Sequence, residues 1–204
     1  MQDHQPTTDQ PVTTQAADGY PRKAWTVKEV LRLNEIGFFD GDGIHRERVE
    51  LIEGELVAMS PKGPLHENLR TALVFRWIKR CPDHLMIASE SPVYLSGISA
   101  PEPDLCVYPA EYVIADVPPE EVILLVEVAD SSSRRDHNLK AAMYAKAGIR
   151  EYWVIDLGAQ MTTIYSEPGE HDYSATVRKA DSDLLTPTLA PELAVRMSDI
   201  LARS

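Results

Sequence analysis

The chain has 204 residues, of which 44% are apolar and 25% charged, a composition that suits one globular domain with a sizeable core. Its net charge of −12 argues against a protein that coats nucleic acid through a generally basic surface. No apolar run reaches the roughly 18 residues that a membrane-spanning helix needs, and the first residues lack the pattern of a secretion signal. Two cysteines, Cys81 and Cys106, are too few for a disulfide framework, so we expect a cytoplasmic protein.

The first 20 residues are polar, rich in Thr, Gln and Asp, and without hydrophobic periodicity. Such a segment cannot bury enough apolar surface to offset the entropy of folding, so residues 1–20 are expected to form a disordered tail. No repeat or change in composition divides the remainder, which predicts a single domain over residues 21–204. Thr26, followed three residues later by Glu29, forms a capping-box signal for a short helix.

A hairpin and a long helix are expected next. The runs 48–52 and 55–59 flank Glu-Gly, a sequence typical of a tight β-turn. Residues 65–80 repeat apolar side chains at helical spacing, and we expect this set to face a sheet. The set consists of Leu65, Leu69, Ala72, Leu73, Phe75, Trp77 and Ile78. An interrupted strand follows, in the two pieces 86–88 and 91–95.

Two apolar segments rich in β-branched residues each carry one carboxylate. Asp104 opens the first, PDLCVY, and Glu127 lies inside the second, VILLVEVA, at 122–129. Burying an unpaired charge costs several kcal/mol or forces the group to stay protonated. Each carboxylate therefore needs a cationic partner, a metal ion or access to solvent.

The chain after Glu127 predicts a βαβ unit. A helix is expected over 136–147, with Leu139 facing inward and Gly148 ending the helix. An apolar strand follows at 151–156, and a strand, a helix and a strand in this order place the two strands parallel and adjacent.

The C-terminal part predicts a hairpin of 161–166 with 173–179, and a short helix capped by Ser198. Together the elements predict an α/β fold in which a mixed β-sheet is flanked by α-helices.

The predicted geometry allows Asp104, Glu127 and Lys140 to meet. Helical side chains lean toward the N-terminus of their helix, so Lys140, about one turn in, is expected to point back toward Glu127. Asp104 follows Pro103, which favours an extended backbone, and pairing of the two strands would bring the carboxylates close together.

The residue types suggest the chemistry. Two close carboxylates repel each other unless a divalent cation lies between them. Mg²⁺ takes hard oxygen ligands, and a nearby lysine adds a fixed positive charge beside a phosphate. The pattern therefore suggests a metal-dependent phosphodiesterase site. The alternative is an ion-pair network of Asp104, Glu127 and Lys140 that only fixes the fold, and spacing alone leaves both interpretations open.

The order of these residues resembles the PD-(D/E)XK nuclease superfamily, which includes many restriction endonucleases. Within it the chain is similar to the Uma-two family of bacterial endonucleases over about residues 25–165. The shared features are RVELIEGELVAMSP, a histidine that opens a helix, EPDL, VEVADSSS, DHNLK and YAKAGIREYWVID. This resemblance implies a restriction-endonuclease-like fold and hydrolysis of nucleic acid, DNA before RNA, with Mg²⁺ or Mn²⁺ as cofactor.

The resemblance also implies roles for single residues. Asp104 matches the acid of the PD element and Glu127 the second acid, and both would bind the metal. The superfamily expects a lysine two residues after Glu127, where this chain has Ala129. Members of the Uma-two family place that lysine on the next helix, and Lys140 matches the position. Without Lys140 in the site, the protein would bind metal but cleave nothing.

The pattern offers four further candidates. Glu50 is either a third catalytic acid facing the metal or a surface residue of an amphipathic strand. His66 either contacts substrate or orients a site residue, or it only caps and packs. Glu102 is expected to face solvent, and Tyr144 either borders the site or packs in the core.

The sequence therefore predicts a metal-dependent endonuclease that acts on DNA. One alternative is a catalytically silent module that binds a nucleic acid or a protein. Another is a phosphoesterase for a small nucleotide, which would have a closed pocket rather than an open groove bordered by Arg134 and Arg135. No membrane partner is expected. A homodimer would supply the two sites that two-strand cleavage needs, although no residue demonstrates it.

Overall fold

The computed structural model describes residues 22–41, 47–129 and 134–202, without the side chains of residues 134–138. The described helices are α1 (Val27–Glu35), α2 (Pro64–Ile78), α3 (Arg134–Lys146) and α4 (Met197–Leu201). The described strands are β1 (Val49–Ile52), β2 (Glu55–Ala58), β3 (Leu85–Ser89), β4 (Leu105–Pro109), β5 (Leu124–Ala129), β6 (Glu151–Asp156), β7 (Met161–Pro168) and β8 (Tyr173–Ala180). The predicted disordered tail, residues 1–20, lies outside the described residues. In the part of the chain that is described, no helix is both long enough and apolar enough to cross a membrane.

The chain divides into two compact units. The first contains the described residues up to Pro61 together with Gly97–Ser99, and the second contains Lys62–Ser96 and the described residues from Ala100 onward. The expected single domain over residues 21–204 stays a prediction.

The first unit contains α1 and the hairpin of β1 and β2. The capping box at α1 is confirmed: the Glu29 backbone N–H donates to Thr26 Oγ1 at 3.3 Å, and the Thr26 N–H donates to Glu29 Oε2 at 3.0 Å. The hairpin is confirmed too, with Val49 paired antiparallel to Ala58. Its turn requires glycine at Gly54, where φ is +85° and a Cβ would lie 2.8 Å from Ala24 Cβ.

The second unit is built on a six-stranded mixed sheet in the order β3-β4-β5-β6-β7-β8. Neighbouring strands are antiparallel except β5 and β6, which are parallel and are connected in the chain through α3. The predicted parallel pairing of these two apolar strands is confirmed, as is the C-terminal hairpin of β7 and β8. Gly148 ends the connection with φ +82°, the left-handed conformation expected of the residue that ends a helix.

The core of the second unit lies between one face of the sheet, α2 and α4. It includes alternate residues of β4, β5 and β6 because successive side chains of a strand point to opposite faces. These are Leu105, Val107, Leu124, Val126, Val128, Trp153 and Ile155, packed with Leu69, Leu73 and Trp77 of α2. The rings of Trp77 and Trp153 meet edge to face at 6.1 Å. The opposite face of the sheet is left for α3, which packs on β6, β7 and β8.

The apolar stripe of α2 is narrower than predicted. Leu65, Phe75 and Ile78 are 67%, 63% and 60% exposed. At about 100° per residue, Phe75 lies about 200° round the helix from Leu73, and Ile78 about 100° from Trp77, so neither can share the buried stripe. Leu65 lies in the first turn, before the buried part of the stripe begins.

Two other local predictions are wrong. Residues 91–95 form no strand: Glu90 takes a left-handed backbone with φ +50° and ends β3, and Pro92 has no N–H to contribute to a ladder. Ser198 does not cap α4. It lies inside the helix, because the backbone of Arg196 is extended and that of Met197 is already helical.

Candidate active site

Asp104 lies immediately before β4, at the point where three strands of the second unit run side by side. The register pairs Leu105 with Val126 of β5, so continuing it by one residue brings Asp104 opposite Glu127. On the other side, Ser89 of β3 pairs with Leu105, which brings Glu90 opposite Asp104. The Glu90 N–H donates to the Asp104 carbonyl at 3.2 Å, in agreement with this register. Three acids therefore lie in a row across three adjacent strands.

The carboxylate of Asp104 is almost fully buried, at 1% exposure, and both of its oxygens are hydrogen-bonded. Lys62 Nζ donates to Oδ1 at 2.6 Å, and the Val128 N–H donates to Oδ2 at 2.7 Å. His66 Nε2 lies 3.0 Å from Oδ2. Because a carboxylate only accepts, this nitrogen must carry the proton. Burial alone would raise the pKa of Asp104, but the hydrogen bonds from His66 and Lys62 outweigh it and hold the pKa at about 2.

Glu127 is held by α3. Lys140 Nζ donates to Glu127 Oε1 at 3.0 Å, and the Tyr144 hydroxyl donates to the same oxygen at 3.4 Å. Glu127 and Lys140 are each 7% exposed, and Tyr144 is fully buried. The helix begins at Arg134, two residues earlier than predicted, so Lys140 lies in the second turn instead of the first. Its side chain nevertheless reaches back to the strand that carries Glu127.

A row of tyrosines continues from this pair into the sheet. The ring of Tyr144 packs edge to face on Tyr152 at 4.9 Å, and Tyr152 stacks on Tyr165 at 5.6 Å. Burial raises the pKa of Tyr152 well above its usual value, and the negative charges of Glu127 and Asp104 raise it further. Both carboxylates therefore lie within electrostatic reach of one phenol, which stays protonated at neutral pH.

The residue types at this point fit a divalent cation. Mg²⁺ takes one or two protein carboxylates and completes its shell with water and substrate oxygens, and Asp104 and Glu127 would supply the two carboxylates. An ammonium group lies 2.6 Å from Asp104 Oδ1, so this oxygen already has a cationic partner. Among the described residues no cluster of three or more His, Cys, Asp or Glu side chains is arranged to hold a metal. Asp104 and Glu127 as metal ligands stay a prediction.

The superfamily's lysine position is occupied by Ala129, which is 5% exposed. The nearest cation to Glu127 in the described hydrogen-bond network is Lys140, as the Uma-two pattern implies. The structure thus brings Asp104, Glu127 and Lys140 together, and their catalytic roles stay predictions.

The other candidates have different environments. Glu50 lies on β1 of the first unit and is 7% exposed, so it is not a surface residue, and its role as a third acid stays a prediction. His66 is buried and bonded to Asp104, and its role in the site stays a prediction. Tyr144 both packs in the core and contacts Glu127. Glu102 is half-buried rather than fully exposed to solvent.

Sequence reasoning missed three residues of this network: Lys62, Glu90 and Arg70. Lys62 donates to Glu90 Oε1 at 2.8 Å as well as to Asp104, and Arg70 Nη1 lies 3.2 Å from Glu90 Oε2. The side chain of Arg70 is only 15% exposed. Spacing gave a signal only for Arg70, which follows His66 by four residues and so lies on the same side of α2.

Other basic residues can be placed only in part. The side chains of Arg134 and Arg135, expected at the border of a groove, lie outside the described part of the chain. Arg76 Nη2 lies 3.5 Å from Asp199 Oδ2.

Comparison with known proteins adds family and fold. A family model described as "Uma2: Putative restriction endonuclease" matches residues 43–198. A solved structure from Anabaena variabilis ATCC 29413, described as a putative nuclease belonging to DUF820, matches with a TM-score of 0.61. The two chains are 18% identical, and the match covers 87% of this chain and 97% of that one, so it shows a shared fold. The comparison with curated proteins found no match.

The match to the family model spans well over half of the chain, from before β1 into α4. It includes Asp104, Glu127 and Lys140, and the mixed sheet on which the two acids lie is the fold that the solved relative shares. The chain belongs to the Uma2 family, and its fold is that of the DUF820 nuclease-like structure.

Proposed function

We propose that this protein is a metal-dependent endonuclease that hydrolyses phosphodiester bonds in nucleic acid, with DNA as its substrate. The observation that carries the proposal is the 3.0 Å pair of Lys140 and Glu127 beside the buried carboxylate of Asp104. Two acids and one lysine are a group that suits phosphodiester hydrolysis with a divalent cation. The description of the Uma2 family as restriction endonucleases supports DNA over RNA.

Asp104 and Glu127 are the ligands in this proposal. Their carboxylates would hold Mg²⁺, or Mn²⁺ in its place, at the ends of two paired strands. A divalent cation bound there supplies Lewis-acid polarisation of a phosphate oxygen and lowers the pKa of a bound water. His66 and the Val128 N–H fix the orientation of Asp104, because both bond to its Oδ2.

Lys140 supplies the fixed positive charge. The side chains of Lys140 and Glu127 are each 9% exposed, so their interaction is only weakly screened by water. Placed beside a phosphate, the ammonium would stabilise the negative charge that grows on it during hydrolysis. The Tyr144 hydroxyl donates to Glu127 Oε1, the oxygen that also accepts from Lys140, and so helps to hold the carboxylate against the ammonium.

The experiment is cleavage of supercoiled plasmid by the purified protein with Mg²⁺ or Mn²⁺, with EDTA as the metal-free reference. We expect nicked and then linear DNA with metal, no change with EDTA, and slower cleavage of single-stranded RNA of similar length. Asp104→Asn, purified in the same way, should be inactive, whereas Glu111→Gln, a change at an exposed acid, should be as active as the wild type. Equal cleavage by wild type and Asp104→Asn would identify a contaminating nuclease and sink the proposal.

One observation favours a silent binding module as the second candidate. Each of the two acids already has a lysine within hydrogen-bond distance, Lys62 at Asp104 and Lys140 at Glu127. A buried network of that kind is electrically balanced without any metal and fixes the geometry of the strand ends. A protein that folds, binds DNA in a mobility-shift assay and cleaves neither DNA nor RNA with any divalent cation would be this module.

A further inference from the structure

Lys62 bridges two of the three acids at the strand ends. Its ammonium lies 2.6 Å from Asp104 Oδ1 and 2.8 Å from Glu90 Oε1. Lys62 lies in the loop before α2, so no strand or helix pairing brings it to this place. Its side chain is 13% exposed, and those of Asp104 and Glu90 are 1% and 26% exposed. The ammonium therefore occupies a largely enclosed position between two carboxylates, as a bound cation would.

The charge on Lys62 is stable there. Two carboxylate oxygens within 2.8 Å of Nζ, Asp104 Oδ1 and Glu90 Oε1, stabilise the ammonium form. The oxygen that Lys62 occupies belongs to a carboxylate that the proposed function assigns to the metal. The other oxygen of Asp104 is already bonded to the Val128 N–H and to His66. A divalent cation approaching Asp104 must therefore share Oδ1 with a positive charge or displace it.

We propose that Lys62 is the resident cation of Asp104 and that a divalent metal binds by displacing it onto Glu90. This inference rests on the proposed function, because it concerns the same carboxylate. Lys62 thereby lowers the metal affinity of the site, because the free energy needed to break the Lys62–Asp104 ion pair is subtracted from the free energy of metal binding. Lys62 is a positioning residue, which acts on the metal site through the carboxylate of Asp104.

Glu90 keeps the displaced ammonium paired. A lysine left without a partner in this enclosed position would be costly, and Glu90 Oε1 already lies 2.8 Å from Nζ. The backbone holds Glu90 in place, since its N–H donates to the Asp104 carbonyl and its φ of +50° is in the left-handed region. Arg70 binds the other carboxylate oxygen of Glu90 at 3.2 Å. Asp104 and Glu90 are therefore the two carboxylates between which the Lys62 ammonium shifts.

The test is the affinity of the metal-free protein for Mn²⁺, measured from free Mn²⁺ by electron paramagnetic resonance, with no nucleic acid present. Lys62→Met removes the competing charge and keeps most of the side-chain volume, so it should bind Mn²⁺ about tenfold or more tightly than the wild type. Lys62→Arg keeps a cation and should stay near the wild-type affinity. Lys79→Met, at an exposed lysine on the C-terminal end of α2, is the matched control and should change nothing.

The outcomes separate this inference from the proposed function. If the wild type binds Mn²⁺ and Lys62→Met binds it equally or more weakly, the displacement is disproved while the metal site stands. If neither protein binds Mn²⁺, the metal-dependent function is disproved and the displacement with it. Asp104→Asn should lose binding in either background, which assigns the measured Mn²⁺ to this carboxylate.

A second measurement on the wild type guards against a Lys62→Met protein that does not fold. Acetic anhydride modifies a lysine faster when its ammonium loses an ion-pair partner and gains access to water. We expect Mn²⁺ to raise the acetylation rate of Lys62 severalfold, measured by mass spectrometry, while the rate at Lys79 stays constant. An unchanged rate at Lys62 in the presence of saturating Mn²⁺ would overturn the proposal.

Discussion

Lys140 Nζ lies 3.0 Å from Glu127 Oε1 although 13 residues separate them in the chain. The helix that carries Lys140 begins shortly after the strand that carries Glu127 ends, and its side chains lean back toward that strand. The pattern that the chain resembles expects a lysine at the position of Ala129, and we propose that Lys140 supplies that charge from the helix. Lys140 is buried and bonded to Glu127, so its ammonium is held in place, which is what a charge acting on a developing transition state requires.

This relationship predicts the effect of Lys140→Met on catalysis. If Lys140 stabilises charge mainly in the transition state, its loss should lower the turnover number roughly a hundredfold or more and leave the apparent affinity for DNA nearly unchanged. The measurement is metal-dependent nicking of plasmid under saturating DNA. Lys146→Met changes an exposed lysine near the end of the same helix and should nick at the wild-type rate. Equal turnover of Lys140→Met and Lys146→Met would remove Lys140 from the reaction.

The sequence allowed the Glu127–Lys140 pair to be predicted because its geometry is local. An apolar strand, a helix and a second apolar strand specify a parallel pairing, and helix periodicity then orients Lys140. Helix periodicity alone gave a wrong prediction for Leu139, which was expected to face inward and is 53% exposed. Leu139 lies about 100° round the helix from Lys140, so a helix that turns Lys140 and Tyr144 toward Glu127 turns Leu139 toward solvent.

The cationic partners of Asp104 could not be predicted in this way. Lys62 is separated from Asp104 by 42 residues and His66 by 38, and these contacts form only when α2 packs on the sheet. Lys62 lies in a loop rich in Pro and Gly, where no periodicity indicates which way a side chain points. Local patterns along a chain contain no information on such a contact, whereas the β-strand register, once known, places Glu90 beside Asp104.

The residue that ends α3 offers a test of the fold. Gly148 has φ +82°, a conformation that costs an alanine roughly 1 kcal/mol, while a Cβ there would meet Glu120 Cβ only at an ordinary contact distance of 3.7 Å. Gly148→Ala should therefore lower the free energy of unfolding by about 1 kcal/mol through backbone strain alone. Gly97→Ala, where a Cβ meets nothing within 4 Å, should be close to neutral. Urea unfolding of the three proteins provides the comparison, and a neutral Gly148→Ala would contradict the assigned conformation.

Metal binding should be visible in thermal stability. A ligand that binds only the folded state stabilises it by mass action, by about 2.7 kcal/mol at a hundred times its dissociation constant. We expect Mn²⁺ to raise the melting temperature of the wild type, and Asp104→Asn and Glu127→Gln to lose that rise. Glu111→Gln should keep it. A full metal-induced rise in Asp104→Asn would show that the ion binds at another place.

Acid should weaken the fold through Asp104. The pKa of this carboxyl is held at about 2 in the folded protein, mainly because the hydrogen bonds of His66 and Lys62 outweigh its burial, whereas an aspartate in an unfolded chain titrates near ~3.9. A folded pKa below the unfolded one contributes stability above the unfolded value, and this contribution is lost as the pH falls toward the folded value. The expected contribution is about 2.5 kcal/mol at pH 5 and above, declining between about pH 5 and pH 2. It should be measured with EDTA present, so that no metal contributes.

The direct measurement is urea unfolding of wild type and Asp104→Asn at several pH values from 5 down to 2.5. Other carboxylates titrate in both proteins alike, so the difference in unfolding free energy between the two isolates Asp104. That difference should shrink steadily below about pH 4, because protonation of the wild-type carboxyl removes the same charge that the substitution removes. Asp116→Asn, at an exposed aspartate, should follow the wild type at every pH. A difference between wild type and Asp104→Asn that stays constant over this range would mean that the carboxylate is not stabilised by Lys62 and His66.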